Sequence, residues 1–327
     1  ETSTCCDNTA SEHAMMEKLM IDSILTCARD YKVDGFRFDL MGHHSLANMQ
    51  AVRDALDALT VADDGVDGSA IYLYGEGWNF GEVADNARFE QASQMNMGGT
   101  GIGTFNDRLR DAVRGGGPFS GLQEQGFTTG LFYDHNATDQ GTPADQQARL
   151  LMQADWIRVS LAGGLANFPL IDRFGNPVLG RQIDYNGQQA GYTLDPQEII
   201  NYAAAHDNET FHDAVQLKVP LATPTSDRAR VQNMANDLIA LGHVDGRTEV
   251  VAVPARVVEG GPGVPGGAAV DRADHRELVV VGHLVVDRKL PEVGQAVSTS
   301  YEGEGWAIVA ADTRGGSSKA SGVASAA

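Results

Sequence analysis

Residues 33–44 are Val-Asp-Gly-Phe-Arg-Phe-Asp-Leu-Met-Gly-His-His, and this stretch is the most informative part of the 327-residue chain. Its short apolar run predicts a strand over 33–40. Arg37 and Asp39 lie two positions apart, so both side chains leave the same face of that strand. A carboxylate beside a guanidinium stays ionised at neutral pH, which suits an anionic nucleophile. A buried structural ion pair is the alternative interpretation.

Outward from this stretch, strand and helix patterns alternate through residues 1–241, which predicts an α/β architecture with a parallel sheet. Ser11 and Ser45 are the predicted N-caps of the first two helices. The apolar spacing predicts helices over 11–30, 45–59, 144–161 and 227–241. Further strands are predicted over 70–74 and 198–205. Residues 93–130 are rich in Gly and Asn, and we expect this long segment to be irregular and to form a wall of a site.

A second polar cluster, Gly75-Glu76-Gly77-Trp78, follows the strand predicted over 70–74. Its glycines allow backbone and ligand to approach closely. A glutamate at a strand end beside an aromatic ring can have a raised pKa and act as a general acid. The alternative for Glu76 is an exposed loop position. The ring of Trp78 is suited to stacking on a sugar, and equally to packing in a core.

A third polar cluster, His206-Asp207-Asn208, follows the strand predicted over 198–205, and a helix cap is its alternative interpretation. In a parallel α/β sheet or barrel, the carboxyl ends of the strands face one side, so Asp39, Glu76 and Asp207 are expected to converge. Glycoside hydrolysis requires two carboxyl groups, one kept ionised and one able to hold a proton. A third carboxylate can stabilise the cationic transition state.

The composition excludes several classes of protein. Acidic residues outnumber basic residues 44 to 24, and the resulting net charge of -20 repels nucleic acid and anionic lipid. We therefore expect neither nucleic acid nor a membrane as a partner. The hydrophobic content of 42% is typical of a globular chain. Cys5, Cys6 and Cys27 lack the spacing of a zinc site, and a disulfide scaffold is not expected.

The composition changes near residue 241. Residues 242–327 contain 17 valines, against 11 in residues 1–241. We predict a catalytic domain over 1–241 and an atypical tail over 242–327, which is a small β region, a disordered segment or the product of a translated intron or frameshift. The valine clusters that favour short strands lie at 250–251, 257–258, 279–281 and 285–286.

The quoted motifs resemble those of the pullulanase and limit dextrinase branch of the α-amylase superfamily, glycoside hydrolase family 13. Asp34–His44 resembles the second conserved region. Tyr74–Val83 resembles the third region, and Asn96–Asp111 continues the match. Asn201–Thr210 resembles the fourth region. The resemblance extends in consistent order from about residue 1 to about residue 241. It implies a (β/α)8 TIM barrel of which this chain holds roughly the second half.

The resemblance also implies an activity: hydrolysis of α-1,6-glucosidic branch linkages in pullulan, limit dextrins or glucans derived from starch and glycogen. It implies a retaining mechanism with Asp39 as the nucleophile, Glu76 as the general acid and base, and Asp207 as the transition-state stabiliser. The implied substrate-binding residues are Arg37, His206 and Trp78. Arg37 would hold Asp39 ionised, and His206 would bind hydroxyl groups of the sugar. This chemistry requires no cofactor. Calcium sites occur in the family, but no residues here assign one.

Two departures from the family pattern lead us to expect a fragment. The chain begins at Glu1 after the position of the first conserved region, and the valine-rich tail replaces the expected last strand. One alternative is therefore an inactive fragment that binds glucan. Another is an α-1,4-acting amylase or transglycosylase of the same superfamily, against which the Met-Gly-His-His and Gly-Glu-Gly-Trp runs argue. No residues indicate a compartment or a protein partner, and members of the family occur in bacteria, inside or outside the cell, and in plastids.

Overall fold

The computed structural model describes residues 9–242 in full, together with the backbone of four two-residue strands near the chain ends. β1 (Thr2–Ser3) pairs antiparallel with β2 (Cys6–Asp7), and β11 (Val297–Ser298) pairs antiparallel with β12 (Val309–Ala310). The valine clusters at 250–251, 257–258, 279–281 and 285–286 lie outside the described residues. The division of the chain at residue 241 therefore stays a prediction.

Four parallel strands form the central sheet. They are β3 (Gly35–Phe38), β4 (Tyr72–Gly75), β5 (Gly103–Asn106) and β10 (Ile199–Asn201). Each of these strands pairs in parallel with the next one along the chain, so the order across the sheet is β10-β5-β4-β3. The predicted α/β fold with a parallel sheet is confirmed. Because the four strands share one direction, their carboxyl ends meet at one edge of the sheet.

Helices connect and flank these strands. They are α1 (Ala14–Tyr31), α2 (Leu46–Asp57), α3 (Val61–Asp64), α4 (Asp107–Arg114), α5 (Pro143–Leu161), α6 (Phe211–Lys218) and α7 (Thr225–Leu241). Two antiparallel hairpins follow α5: β6 (Pro169–Ile171) with β7 (Pro177–Leu179), and β8 (Asp184–Tyr185) with β9 (Gln188–Gln189). Among the described helices, none combines the length and the hydropathy that crossing a lipid bilayer requires.

Two local predictions are wrong. Residues 93–130 are not irregular throughout, because they contain β5 and α4. Ser11 does not cap α1, which begins at Ala14 after His13. The hydroxyl of Ser11 instead lies 2.6 Å from Nδ1 of His44, so it is engaged in a tertiary contact. The predicted cap Ser45 is confirmed: its hydroxyl accepts a hydrogen bond from the backbone N–H of Asn48, and the Asn48 side chain accepts one in return.

Apolar clusters cover both faces of the sheet. One joins α1 and α2 to the strands, and its fully buried members include Met49, Val52, Leu56 and Leu73. A second, between α4, α5, α6 and α7, includes Leu109, Val113, Val159 and Val215. A third is mainly aromatic and consists of Tyr72, Phe105, Ile200 and Tyr202, with Trp78 packed against it. This aromatic cluster leads towards the edge of the sheet at which the strands end.

Candidate active site

A cleft of about 1070 Å³ opens at the carboxyl edge of the central sheet. Residues from the ends of all four strands line it: Leu40 after β3, Glu76 after β4, Asp107 after β5 and Asp207 after β10. Ligands of open α/β sheets and TIM barrels bind at this edge. Further walls are aromatic, with Trp78, Phe80, Phe119, Tyr185 and Tyr202. The cleft therefore combines charged groups on its floor with flat apolar rings on its sides.

Asp39 directly follows β3 and has an accessible side chain, with 63% of it exposed. Its Oδ1 accepts a hydrogen bond from Nη1 of Arg37 and lies 3.5 Å from Nε2 of His206. Arg37 and Asp39 are on the same side of the strand, as their spacing predicts. The site thus offers one accessible carboxylate held beside a permanent cation.

Glu76 is the buried carboxyl group of the site, with 5% of its side chain exposed. Its Oε2 accepts a hydrogen bond from the backbone N–H of Leu40 at 2.7 Å, and its Oε1 accepts one from Nη2 of Arg37 at 2.6 Å. Burial raises the pKa of Glu76, and the charges of Asp39 and Asp207 add to this rise. The Leu40 hydrogen bond and Arg37 oppose it without cancelling it. A raised pKa is what a general acid needs.

Leu40 has an unusual backbone conformation that serves the Glu76 contact. Its φ is 48°, in the left-handed region that a branched side chain rarely adopts. The turn directs the N–H of Leu40 onto the Glu76 carboxylate, where it makes the bond of 2.7 Å. Residues held in such conformations concentrate at functional sites. The turn at Leu40 therefore places a backbone donor against the carboxylate of Glu76 at the end of β3.

His206 and Asp207 approach the other two carboxyl groups from the end of β10. Nε2 of His206 lies 3.1 Å from Oδ1 of Asp207 and 3.5 Å from Oδ1 of Asp39. Both side chains are 59% exposed, so a ligand in the cleft can reach them. One polar atom each of Asp39, Glu76 and His206 lies within 4.8 Å of the other two. The structure thus brings together the residues that the parallel strand ends were expected to bring together.

The same three residues have the spacing of metal ligands. Arg37, however, donates hydrogen bonds to both carboxylates of the group. Its positive charge opposes a second cation at this point, and each pair of like charges at such distances repels strongly. We therefore assign no metal to this group, and a calcium site stays unassigned.

Gly77 and Trp78 both line the cleft. A Cβ at position 77 would lie 2.8 Å from the backbone N of Gln94 and 2.9 Å from Cγ2 of Thr104. This glycine thus permits a close approach of protein segments, and it also lines the cleft, so the approach of a ligand stays a prediction. Trp78 packs against the aromatic cluster and also lines the cleft, and stacking of its ring on a sugar stays a prediction.

Sequence reasoning missed a buried polar network in the cleft wall. Arg110 is 8% exposed; it donates to the hydroxyl of Tyr202 at 2.6 Å and to Oδ1 of Asp111 at 2.7 Å. The hydroxyl of Tyr185 donates to Oδ2 of the same aspartate at 2.6 Å. These residues lie on or beside α4, whose sequence Asp-Arg-Leu-Arg-Asp is typical of a solvent-exposed helix. The one signal in the sequence that could have indicated this network was the cluster of charged residues 107–111 directly after the short strand β5.

Known proteins that resemble this chain include pullulanases. No protein-family model matches the chain. Pullulanase 1, chloroplastic, from Arabidopsis thaliana is 48% identical over 242 residues, which cover 74% of this chain and 25% of that protein. The pullulanase of Klebsiella aerogenes is 44% identical over 246 residues, 74% of this chain and 21% of that protein.

Solved structures give the same result. The maltotriose complex of PulA from Klebsiella pneumoniae is 42% identical and superposes with a TM-score of 0.66, over 73% of this chain and 24% of that one. The chain thus spans about a quarter of the length of the relatives that it matches. Over the matched residues, the chain is therefore homologous to pullulanases.

Proposed function

We propose that this site hydrolyses α-1,6-glucosidic branch linkages in pullulan, limit dextrins or glucans derived from starch and glycogen, with retention of configuration. The observation that carries the proposal is the pairing of the accessible Asp39 with the buried Glu76, whose nearest oxygens are within 4.8 Å. Retaining enzymes hold their carboxyl groups roughly 5–5.5 Å apart, and inverting enzymes leave roughly 6.5–9.5 Å for a water molecule. The close spacing supports retention.

In the first step, an oxygen of Asp39 attacks the anomeric carbon, and the bond from that carbon to the glycosidic oxygen breaks. Glu76 gives its proton to the departing oxygen, and a covalent glycosyl-enzyme forms. Burial favours the protonated form of Glu76 that this step consumes. Asp207 faces the sugar and stabilises the positive charge that develops on it.

In the second step, a water molecule attacks the anomeric carbon, Glu76 takes its proton, and Asp39 leaves as a carboxylate. Glu76 enters this step ionised, and its hydrogen bond from Arg37 stabilises that state. Because Arg37 also bonds Asp39, one guanidinium stabilises each carboxylate at the stage at which it carries charge. His206, at the rim, is placed to bind hydroxyl groups of the sugar, and Trp78 provides a wall of the cleft.

The finer fold assignment belongs to the same proposal. We propose that β3, β4, β5 and β10 are consecutive strands of a (β/α)8 barrel. Their order across the sheet follows their order in the chain, all neighbours are parallel, and the charged residues follow the strands at one edge. This is the arrangement in which barrel enzymes build their active sites.

The names of the relatives and the maltotriose in the solved complexes support an α-glucan as substrate. The test measures release of reducing ends by the 327-residue chain from pullulan and from linear amylose, with the Asp39→Asn and Glu76→Gln chains alongside. We expect turnover of pullulan that both substitutions abolish. Turnover of amylose alone would favour an α-1,4-acting enzyme. Binding of glucan with equal background rates in all three chains would favour a glucan-binding protein and overturn the catalytic assignment.

A further inference from the structure

Arg114 is a buried cation whose side chain reaches the loop that carries His206 and Asp207. It is the last residue of α4, and 7% of it is exposed. Its Nη1 donates to the backbone carbonyl of Ala203 at 3.3 Å and to that of Glu209 at 2.9 Å. One guanidinium thus holds the two ends of the segment 203–209. His206 and Asp207 lie between these two ends.

The carboxylate of Glu209 adds a weaker contact to the same guanidinium. Nη2 of Arg114 lies 3.3 Å from Oε2 of Glu209, whose side chain is 37% exposed. Solvent screens such a partly exposed pair, so it contributes little. The shortest bond of Arg114 goes to a backbone carbonyl. A substitution of Glu209 that keeps the backbone should therefore retain most of the restraint.

The base of the Arg114 side chain is itself fixed. The ammonium group of Lys218 donates to the carbonyl of Gly115 at 3.0 Å and to that of Glu124 at 2.7 Å. Gly115 has a φ of 88°, and a Cβ there would lie 2.2 Å from the backbone of Gln125, so the turn after Arg114 has little freedom. The restraint therefore extends from a rigid helix end to a segment whose central residues, His206 and Asp207, are exposed.

We propose that Arg114 is the positioning residue of this site, which holds His206 and Asp207 against Asp39 without touching the substrate. The inference rests on the proposed function for its kinetic consequence but not for its structural one. Both bonds leave the terminal Nη1, which lies one covalent bond further from the backbone than the Nζ of a lysine, so a lysine at position 114 would reach the two carbonyls less well. A displacement of about 1 Å in a catalytic group can lower a rate about 100-fold.

Arg53 offers a matched control within the chain. It lies in α2, and its guanidinium also donates to two backbone carbonyls, those of Ile71 and Gly68, both at 2.5 Å. Gly68 and Ile71 precede β4, so their carbonyls lie near the amino end of that strand, whereas the cleft lies at the carboxyl ends of the strands. Replacing Arg53 therefore removes a comparable backbone restraint and leaves the loop 203–209 untouched.

The test compares Arg114→Ala, Arg114→Lys, Glu209→Gln and Arg53→Ala in the 327-residue chain. One readout is independent of turnover: the imidazole signals of His206 in an NMR spectrum of histidine-labelled protein, assigned through a His206→Asn chain. We expect both Arg114 variants to shift these signals, whereas Glu209→Gln and Arg53→Ala leave them in place. The lysine variant keeps the buried charge and gives a folded sample if the alanine variant does not fold.

The second readout is kinetic. We expect Arg114→Ala to lower kcat on pullulan about 100-fold through the displacement of Asp207, to raise KM by a smaller factor because His206 moves with it, and millimolar guanidinium to restore part of both losses. Unshifted His206 signals in a folded Arg114 variant, or a wild-type kcat, would overturn the proposal. Shifted signals in a chain whose wild type shows no turnover would support the positioning role and refute the proposed function.

Discussion

Nη2 of Arg37 lies 2.6 Å from Oε1 of Glu76, and the same guanidinium also bonds Asp39. A single cation therefore contacts the two carboxyl groups that the proposed mechanism requires. β3 and β4 create this contact, because Arg37 pairs in register with Tyr74, two residues before Glu76. Because one guanidinium bonds both groups, the ionisation of Asp39 and that of Glu76 are linked.

Replacing Arg37 by leucine should raise the pKa of Glu76 further. Burial is the main cause of the existing rise, and Arg37 is one of the groups that limit it. We expect the alkaline limb of the kcat profile to move to higher pH and kcat to fall about 100-fold or more, since charge stabilisation is lost. Arg29→Leu is the control, because Arg29 pairs with Asp64 away from the cleft. An unmoved alkaline limb in Arg37→Leu would show that Arg37 does not act on Glu76.

The raised pKa of Glu76 also makes stability depend on pH. The folded chain binds this proton more tightly than the unfolded chain, in which the pKa is near its ordinary value of 4.5. The wild type should therefore lose stability relative to Glu76→Gln as pH rises from 4.5 through the folded pKa, and the difference should stay constant below 4.5. Urea unfolding of both chains from pH 4 to pH 8 measures this. A difference that grows in favour of the wild type at higher pH contradicts the assigned direction.

The buried carboxylate of Glu198 is expected to stabilise the fold. It is 2% exposed, and its two oxygens accept hydrogen bonds from four backbone N–H groups. The donors are Gly99 and Gly101 on Oε1, and Leu194 and Asp195 on Oε2. Glu198→Gln places an amide N–H₂ against two of these donors, and we expect a loss of about 2–4 kcal/mol in the free energy of unfolding. Glu90→Gln, at an exposed position, should change it by less than about 0.5 kcal/mol. Equal stability of the two variants would contradict the burial of Glu198.

Removal of metal ions should leave the chemistry intact. Asp39, Glu76 and Arg37 supply the nucleophile, the proton and the charge stabilisation of the proposed reaction, and no step needs a metal. We therefore expect turnover of pullulan to survive dialysis against EDTA, with initial rates as the measurement. A rate that is lost with EDTA and restored by calcium at an unchanged melting temperature would show that a metal takes part in the reaction.

The sequence predicted that three polar strand ends lie close together, but it missed one strand of the sheet. Asp39, Glu76 and Asp207 each follow a short apolar run, and the common direction of parallel strands is enough to expect them at one edge. β5 was missed, because its four residues lie among glycines that hide the alternation of a strand. The positions of α1, α2, α5 and α7 follow from long apolar stripes, which are the most reliable local signal.

The sequence did not predict the contacts between distant segments. The Arg37–Glu76 bond joins residues 39 apart, and the Arg114–Glu209 contact joins residues 95 apart. Both depend on the register of neighbouring strands and on the direction of a long side chain. Ser11 illustrates the same limit, because its hydroxyl satisfies His44 across the fold and not the adjacent helix end. Local sequence patterns indicate which residues belong to such a site, whereas their contact partners depend on tertiary packing.

In the proposed mechanism, Asp39 forms the covalent bond to the sugar, and Glu76 donates and accepts the proton. An α-maltotriosyl fluoride tests it directly, because fluoride departs without a proton while the Glu76→Gln chain lacks the base that would activate water. Mass spectrometry of that chain should show one added maltotriosyl group, and peptide mapping should place it on Asp39. A chain that binds the sugar and stays unmodified, or that carries the label on another carboxyl group, would contradict the assignment.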